Sequence, residues 1–197
     1  LVELTVGQVL FEHGRPLSHV YFPVTSIVSL QCDLEDGSSS EFALTGNEGV
    51  VGVFIFMGTR STISNAVVIR GGMAYRFNAD MLFDEFNHSG AFRRLILRYM
   101  QAMMTEASQR AVCHRRHSID QQLSRIILLC LDRTQAHARL GLDADARRAA
   151  LDDDCRKPLR SADAGVGKGH RRHHRIRILK TARRIGSRIE EPVAREG

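Results

Sequence analysis

The sequence predicts an α+β chain: an antiparallel β-roll of the jelly-roll kind followed by one long helix. Three observations carry this. Over roughly the first 80 residues apolar and polar side chains alternate in short runs broken by glycine, the pattern of many short strands rather than of a parallel sheet. The period then changes, and residues 91–111 contain neither Gly nor Pro. Every Phe, Tyr and Met of the chain lies at or before Met104, which leaves the last third without large core-forming side chains.

The strands follow in order. Leu1-Val2-Glu3-Leu4 lacks a methionine and reads as a strand already under way, which predicts a truncated N-terminus. Val28, Leu30, Cys32 and Leu34 alternate with Ser29, Gln31 and Asp33, the period of a half-buried strand. Asp36-Gly37 supplies a tight turn, and Glu41-Phe42-Ala43-Leu44 returns beside the first strand. A further strand is expected over 66–70. After a turn at Gly71-Gly72, Met73, Tyr75 and Phe77 alternate with Ala74 and Arg76.

The long helix carries two apolar stripes. Phe92, Ile96, Tyr99 and Met103 form one, and Leu97, Met100, Met104, Ala107 and Ala111 the other. A helix with two such stripes must bury both. One can lie on its own roll; the heptad-like second is shaped for the same helix of a second copy, with core packing inside one chain as the alternative. Small Ala107 and Ala111 favour close helix approach. A further helix is expected from Ser118, where Gln121 three residues on completes a capping box. Leu123, Ile126, Ile127 and Cys130 or Leu131 give it an apolar face. The expected division is therefore a sensor roll at 1–90, a dimerisation helix at 91–117, the first helix of an output domain at 118–133 and a basic tail at 134–197.

Composition narrows the function classes. Cys32, Cys113, Cys130 and Cys155 are scattered without a CxxC pair, which argues against a disulfide framework or a zinc knuckle and fits a reducing cytoplasm. No uncharged apolar run reaches the roughly 20 residues of a membrane helix. The net charge of +6 divides unevenly: residues 1–133 hold 12 Arg, no Lys and 13 Asp/Glu, and residues 134–197 hold 13 Arg, 3 Lys and 9 Asp/Glu. All the basicity that attracts nucleic acid sits in the tail. An enzyme is not expected, because no nucleophile–base pair or metal set assembles. His13 and His19 lack the further ligands of a cupin, and Cys113, His114 and His117 read as a solvated polar turn. The glycine-rich stretch 46–52 lacks the GKS/T ending of a phosphate loop and reads as a roll turn needing unusual φ.

Several stretches, in order, resemble the Crp/Fnr family of bacterial transcription regulators: His19-Val20-Tyr21-Phe22-Pro23, Ser26-Ile27-Val28-Ser29-Leu30, Gly46-Asn47-Glu48-Gly49-Val50-Val51-Gly52, and the run from Leu97-Arg98-Tyr99 to Cys113-His114-Arg115-Arg116-His117-Ser118. The resemblance covers about residues 1–133. It implies a cyclic-nucleotide-binding-like jelly roll, a dimer helix and a helix-turn-helix that reads DNA. Readers of cyclic nucleotides offer a carboxylate to the ribose hydroxyl and an arginine to the cyclic phosphate, since guanidinium forks onto phosphate oxygens. The matching positions here are Gly52-Val53 and Ser64-Asn65-Ala66, which carry neither group; Arg60 and Arg70 lie nearby but off the motif position. The resemblance implies a homodimer and a small-molecule effector; the departure at these positions argues against a cyclic nucleotide as cofactor and leaves either another effector or an empty, merely structural pocket.

After Arg133 the resemblance stops. In residues 134–197, Leu, Ile and Val number 11 of 64, too few for a charged segment to bury a core. This third is expected to be poorly ordered or irregularly helical, with local helix at 144–151 or 176–184. The sudden switch to Arg, Ala, Asp, Gly and His, residues with GC-rich codons, motivates the hypothesis of an out-of-frame reading of a former DNA-binding domain, and a solvated tail is expected ahead of a folded helix-turn-helix. A basic arm that holds phosphates without sequence preference is the competing reading. DNA is accordingly a partner by resemblance that residues 134–197 do not support.

Overall fold

In a computed structural model, the structure describes residues 1–134; the tail and its expected lack of order lie outside the described residues. Seven strands form two antiparallel sheets: β1 (Val2–Leu4), β2 (Val9–Phe11), β3 (His19–Pro23), β4 (Ile27–Asp33), β5 (Ser39–Thr45), β6 (Asn65–Arg70) and β7 (Gly72–Asn78). The first sheet has the order β1-β7-β3 and the second β2-β6-β4-β5. A short 3-10 turn at Val53–Met57 interrupts the strands. Three helices follow: α1 (Ala79–His88), α2 (Gly90–Arg116) and α3 (Ile119–Thr134). The β-roll with its long helix is the fold that the sequence predicts.

The apolar faces of the two sheets share one core. Val20, Phe22, Ala74 and Phe77 enter it from the first sheet, and Val28, Leu30, Ala66 and Val68 from the second. Phe22 and Phe77 meet edge to face at 5.6 Å. Each fully buried side chain of this size contributes on the order of 1.5–3 kcal/mol.

Two strand expectations need correction. β4 is not half-buried along its length: Ile27, Val28, Ser29 and Leu30 are all buried, and only the far end opens to solvent. The cause is its central place between β5 and β6 together with α3, which packs on β4, and α2, which packs on β5: Ser29 Oγ donates to Glu41 Oε2 of β5 at 2.8 Å, and Arg110 of α2 reaches Glu41 Oε1 at 3.3 Å. The turn expected at Gly71-Gly72 is instead a crossover from one sheet to the other, with β7 already begun at Gly72. Gly72 has φ +151 with no room for a side chain: a Cβ would stand 2.5 Å from Thr25 Oγ1. That closeness lets Thr25 Oγ1 accept the Met73 N–H at 2.9 Å.

The Asp36-Gly37 expectation stands on local chemistry. Gly37 has φ +82, and Asp36 Oδ1 accepts from both the Ser38 amide and hydroxyl. Helix α1 was not anticipated. Asn78 Oδ1 caps it by accepting from Met81 N at 3.2 Å, and Leu82 and Phe86 bury its inner face. The Ser89 hydroxyl caps α2 by accepting from Phe92 N. The capping box of α3 is formed: Ser118 N donates to Gln121 Oε1 at 3.1 Å, and Gln121 N to Ser118 Oγ at 3.4 Å.

Candidate effector site

Gly52 takes the left-handed conformation, φ 92, and starts the 3-10 turn that Gly58 closes at φ 90. Positive φ is cheap only for glycine, so these two residues fix where the turn begins and ends. Val53 is buried at 2% exposure and points its methyls into the core. Phe56, on the same turn, packs on Phe86 of α1 at 5.0 Å and edge-on to Phe92 of α2 at 5.8 Å. The turn therefore abuts the junction of the two helices. Sequence reasoning missed Phe56; its signal was an aromatic in an apolar run between two glycines.

The remaining predicted positions use their polar groups inside the protein. The Ser64 hydroxyl lies 3.0 Å from that of Thr62, which also accepts the Ser64 amide. Asn65 Oδ1 accepts the His13 amide at 2.7 Å, and its Nδ2 donates to Asp33 Oδ2 at 2.7 Å. Asn65 thus ties the ends of β2, β4 and β6 together. Ala66 is fully buried beside Leu30. Of the nearby arginines, Arg60 pairs with Asp80 of α1 at 3.1 Å with both side chains largely exposed, and Arg70 is exposed at the end of β6. Gly52, Val53, Ser64, Asn65 and Ala66 themselves carry neither an acidic side chain nor a guanidinium.

The glycine-rich stretch 46–52 is a turn, as expected, with Gly49 N donating to Gly46 O at 3.0 Å, but unusual φ accounts for only part of its glycine. Of its three glycines only Gly52 has positive φ. Gly46 and Gly49 are there for close approach: a Cβ on Gly46 would stand 2.8 Å from the Arg133 Cβ, and one on Gly49 would strike the Tyr99 hydroxyl and lie 2.7 Å from Thr45 Cγ2. Between them stands Glu48, whose Oε1 accepts from Arg133 Nε at 2.5 Å and from the Gly46 amide at 3.2 Å. Arg133 Nη2 donates to both oxygens of Glu106 of α2, at 3.0 and 3.3 Å. Burial alone would lower the Arg133 pKa, but the Glu48 and Glu106 carboxylates outweigh it and hold the guanidinium charged well above its ordinary value. Burial, reinforced by the Glu48 charge, pushes the Tyr99 phenol up to about 12.

Helix α2 presents its two stripes differently. Phe92, Ile96 and Tyr99 are buried against the roll, with Met103 half-buried beside them. Leu97 and Met104 are 50% and 68% exposed, and Ala107 and Ala111 are exposed as well. Met100 departs from its assignment to the second stripe, since it is half-buried against the core of its own chain. Cys113 also departs from the solvated reading: it is buried, and its Sγ accepts from Arg125 Nη1 of α3 at 2.8 Å.

The family model described as the cyclic nucleotide-binding domain matches residues 1–89. No curated protein sequence matches the chain. Among solved structures, FixK2 from Bradyrhizobium japonicum is similar at TM-score 0.58 and 16% identity, covering 76% of this chain and 80% of that one. A CRP-family transcriptional regulator from Thermus thermophilus has TM-score 0.58 and 12% identity, covering 94% and 86%. The c-di-GMP-responsive global regulator CLP of Xanthomonas campestris has TM-score 0.53 and 15% identity, covering 64% of each chain. The match therefore spans less than two thirds of CLP. No helix among the described residues is long and apolar enough to cross a membrane. Residues 1–89 match the cyclic nucleotide-binding domain family, and with the long helix that follows they have the fold found in Crp/Fnr-family transcription regulators.

Proposed function

We propose that the chain is the sensing and dimerising part of a cytoplasmic transcription regulator of Crp/Fnr type, not an enzyme, responding to a small-molecule effector other than a cyclic nucleotide. The observation that carries the reading is the division of labour on α2. One stripe is buried in the roll, and Leu97 and Met104, one heptad apart, are left exposed on a 27-residue helix. An exposed heptad repeat is suited to the same helix of a second copy. The Phe56–Phe92 contact joins the roll's 3-10 turn to the start of that helix, so an effector that moved the turn would shift the helix between two packings. The inward-bonded Ser64 and Asn65 and the buried Val53 support an effector other than cyclic AMP or cyclic GMP.

The test is a gel-shift series at several salt concentrations, with calorimetric titration of cyclic AMP and cyclic GMP. The regulator reading expects discrimination between duplex sequences and no cyclic-nucleotide heat. Weak binding to any duplex, lost as salt rises, would instead identify a sensor and dimerisation module without specific DNA output. The composition of residues 134–197 favours that second reading.

A further inference from the structure

Helix α3 connects the roll and α2 to everything that follows, and what holds it in place is unusual. Among its described residues Arg133 alone is fully buried, at 7% exposure, while Leu123, Ile126 and Ile127 stand in solvent. An amphipathic helix normally docks by its apolar stripe; here Leu128, Leu129 and Cys130 are only half-buried where the helix lies against β4, and the fully buried contact is a cation. Arg133 binds Glu48 of the roll and Glu106 of α2 at once. Nearer its N-terminus, Arg125 reaches Cys113 of α2. The two pairs step in opposite directions along the helices, so α3 runs back along the C-terminal half of α2 toward the 46–49 loop.

That loop is shaped to receive it. Gly46 has no need of glycine for its own backbone, yet a Cβ there would press on the Arg133 side chain at 2.8 Å. The network is also incompletely satisfied, because Arg133 Nη1 and Glu48 Oε2 are buried without a hydrogen-bond partner. A buried ion pair adds little net stability, since desolvation offsets attraction, but it specifies position strongly. Unpaired buried groups shift the balance further toward release.

We propose that Arg133, Glu48 and Glu106 form a releasable electrostatic latch that docks α3 on the roll, so that the 46–49 loop sets the orientation of α3. The latch acts whether or not the protein binds DNA, and whatever the effector is. Opening it loosens α3 at its C-terminal end while leaving both sheets intact, because none of the strand pairings involves Arg133.

Hydrogen–deuterium exchange on the full chain tests this with Arg133→Gln, Glu48→Gln and Gly46→Ala. The last removes no charge and acts only through the space that Arg133 occupies. Each variant is expected to exchange about tenfold faster or more in α3 peptides, with peptides of β3, β4 and β6 unchanged. Arg133→Gln combined with Glu48→Gln should add little to Arg133→Gln alone, since both break one contact. Wild-type exchange in α3 of Arg133→Gln overturns the latch. So does faster exchange in sheet and α3 alike, or failure of the variants to fold, because either makes Arg133 part of the global core. Should Gly46→Ala alone leave α3 unchanged, the loop does not set its orientation and the proposal fails on that point.

Discussion

Arg133 Nε and Glu48 Oε1 stand 2.5 Å apart, joining two residues 85 positions distant in sequence. The contact places the end of α3 on the loop between β5 and the 3-10 turn, and Glu106 brings α2 into the same network. Two helices and a loop thereby meet at one guanidinium. Tyr99 stands on the same loop, its hydroxyl over Gly49. Positions that look like a glycine-rich ligand loop in sequence are, in the fold, the seat of two helices.

Gly49→Ala tests that seat. Replacing glycine by alanine ordinarily stabilises by about 0.4–1 kcal/mol through the unfolded chain. Here the added methyl meets the Tyr99 hydroxyl, so the expected sign reverses, with a loss of about 1–3 kcal/mol from overpacking. Urea denaturation should show it. In the background of Tyr99→Phe the loss should shrink but persist, because Thr45 Cγ2 still stands 2.7 Å from the new methyl.

Phe56→Ala should cost about 3–5 kcal/mol of unfolding free energy, since its ring is buried against Phe86 and Phe92. Met57→Ala, one residue on and exposed, should cost under about 0.5 kcal/mol. Equal losses from the two, measured by thermal or urea unfolding, would contradict the packing of the 3-10 turn on the helix junction.

The Tyr99 phenol supplies a pH dependence. Its pKa rises from 10.0 to about 12 on folding because burial disfavours the phenolate, with the Glu48 charge acting in the same direction. A raised folded pKa on an acid means that the neutral form is favoured. The stabilisation is therefore full below pH 10 and lost as pH climbs from 10 toward 12. The slope is about 1.4 kcal/mol per pH unit. Tyr99→Phe should lack that part of the decline, and the difference between the two stability curves over this window is the measurement.

Much of the roll was legible because its signals are local. Asp36-Gly37, the Ser118/Gln121 box and the stripe of Phe92, Ile96 and Tyr99 each state their structure within a few residues. What was hidden depends on partners far along the chain. The alternation of β4 implied a wet face at Ser29, and only Arg110 and Glu41 show why that face is dry. Gly46 and Gly49 read as turn formers because a sequence does not display the side chains that will press against them. Helix α1 was missed because it is short: its apolar face, Ala79, Leu82, Phe83 and Phe86, spans only about two turns. At the candidate effector positions the residue types were legible, but not that Asn65 spends both ends of its amide on His13 and Asp33.

The exposed stripe on α2 bears the central claim, and the oligomeric state of the full chain tests it most directly. Sedimentation of the wild type at micromolar concentration should give a dimer. Leu97→Glu combined with Met104→Glu should give a monomer with an unchanged circular dichroism spectrum, because both side chains are exposed in the single chain. A wild-type monomer, or a variant that still sediments as a dimer, would contradict the reading of α2 as a dimerising helix.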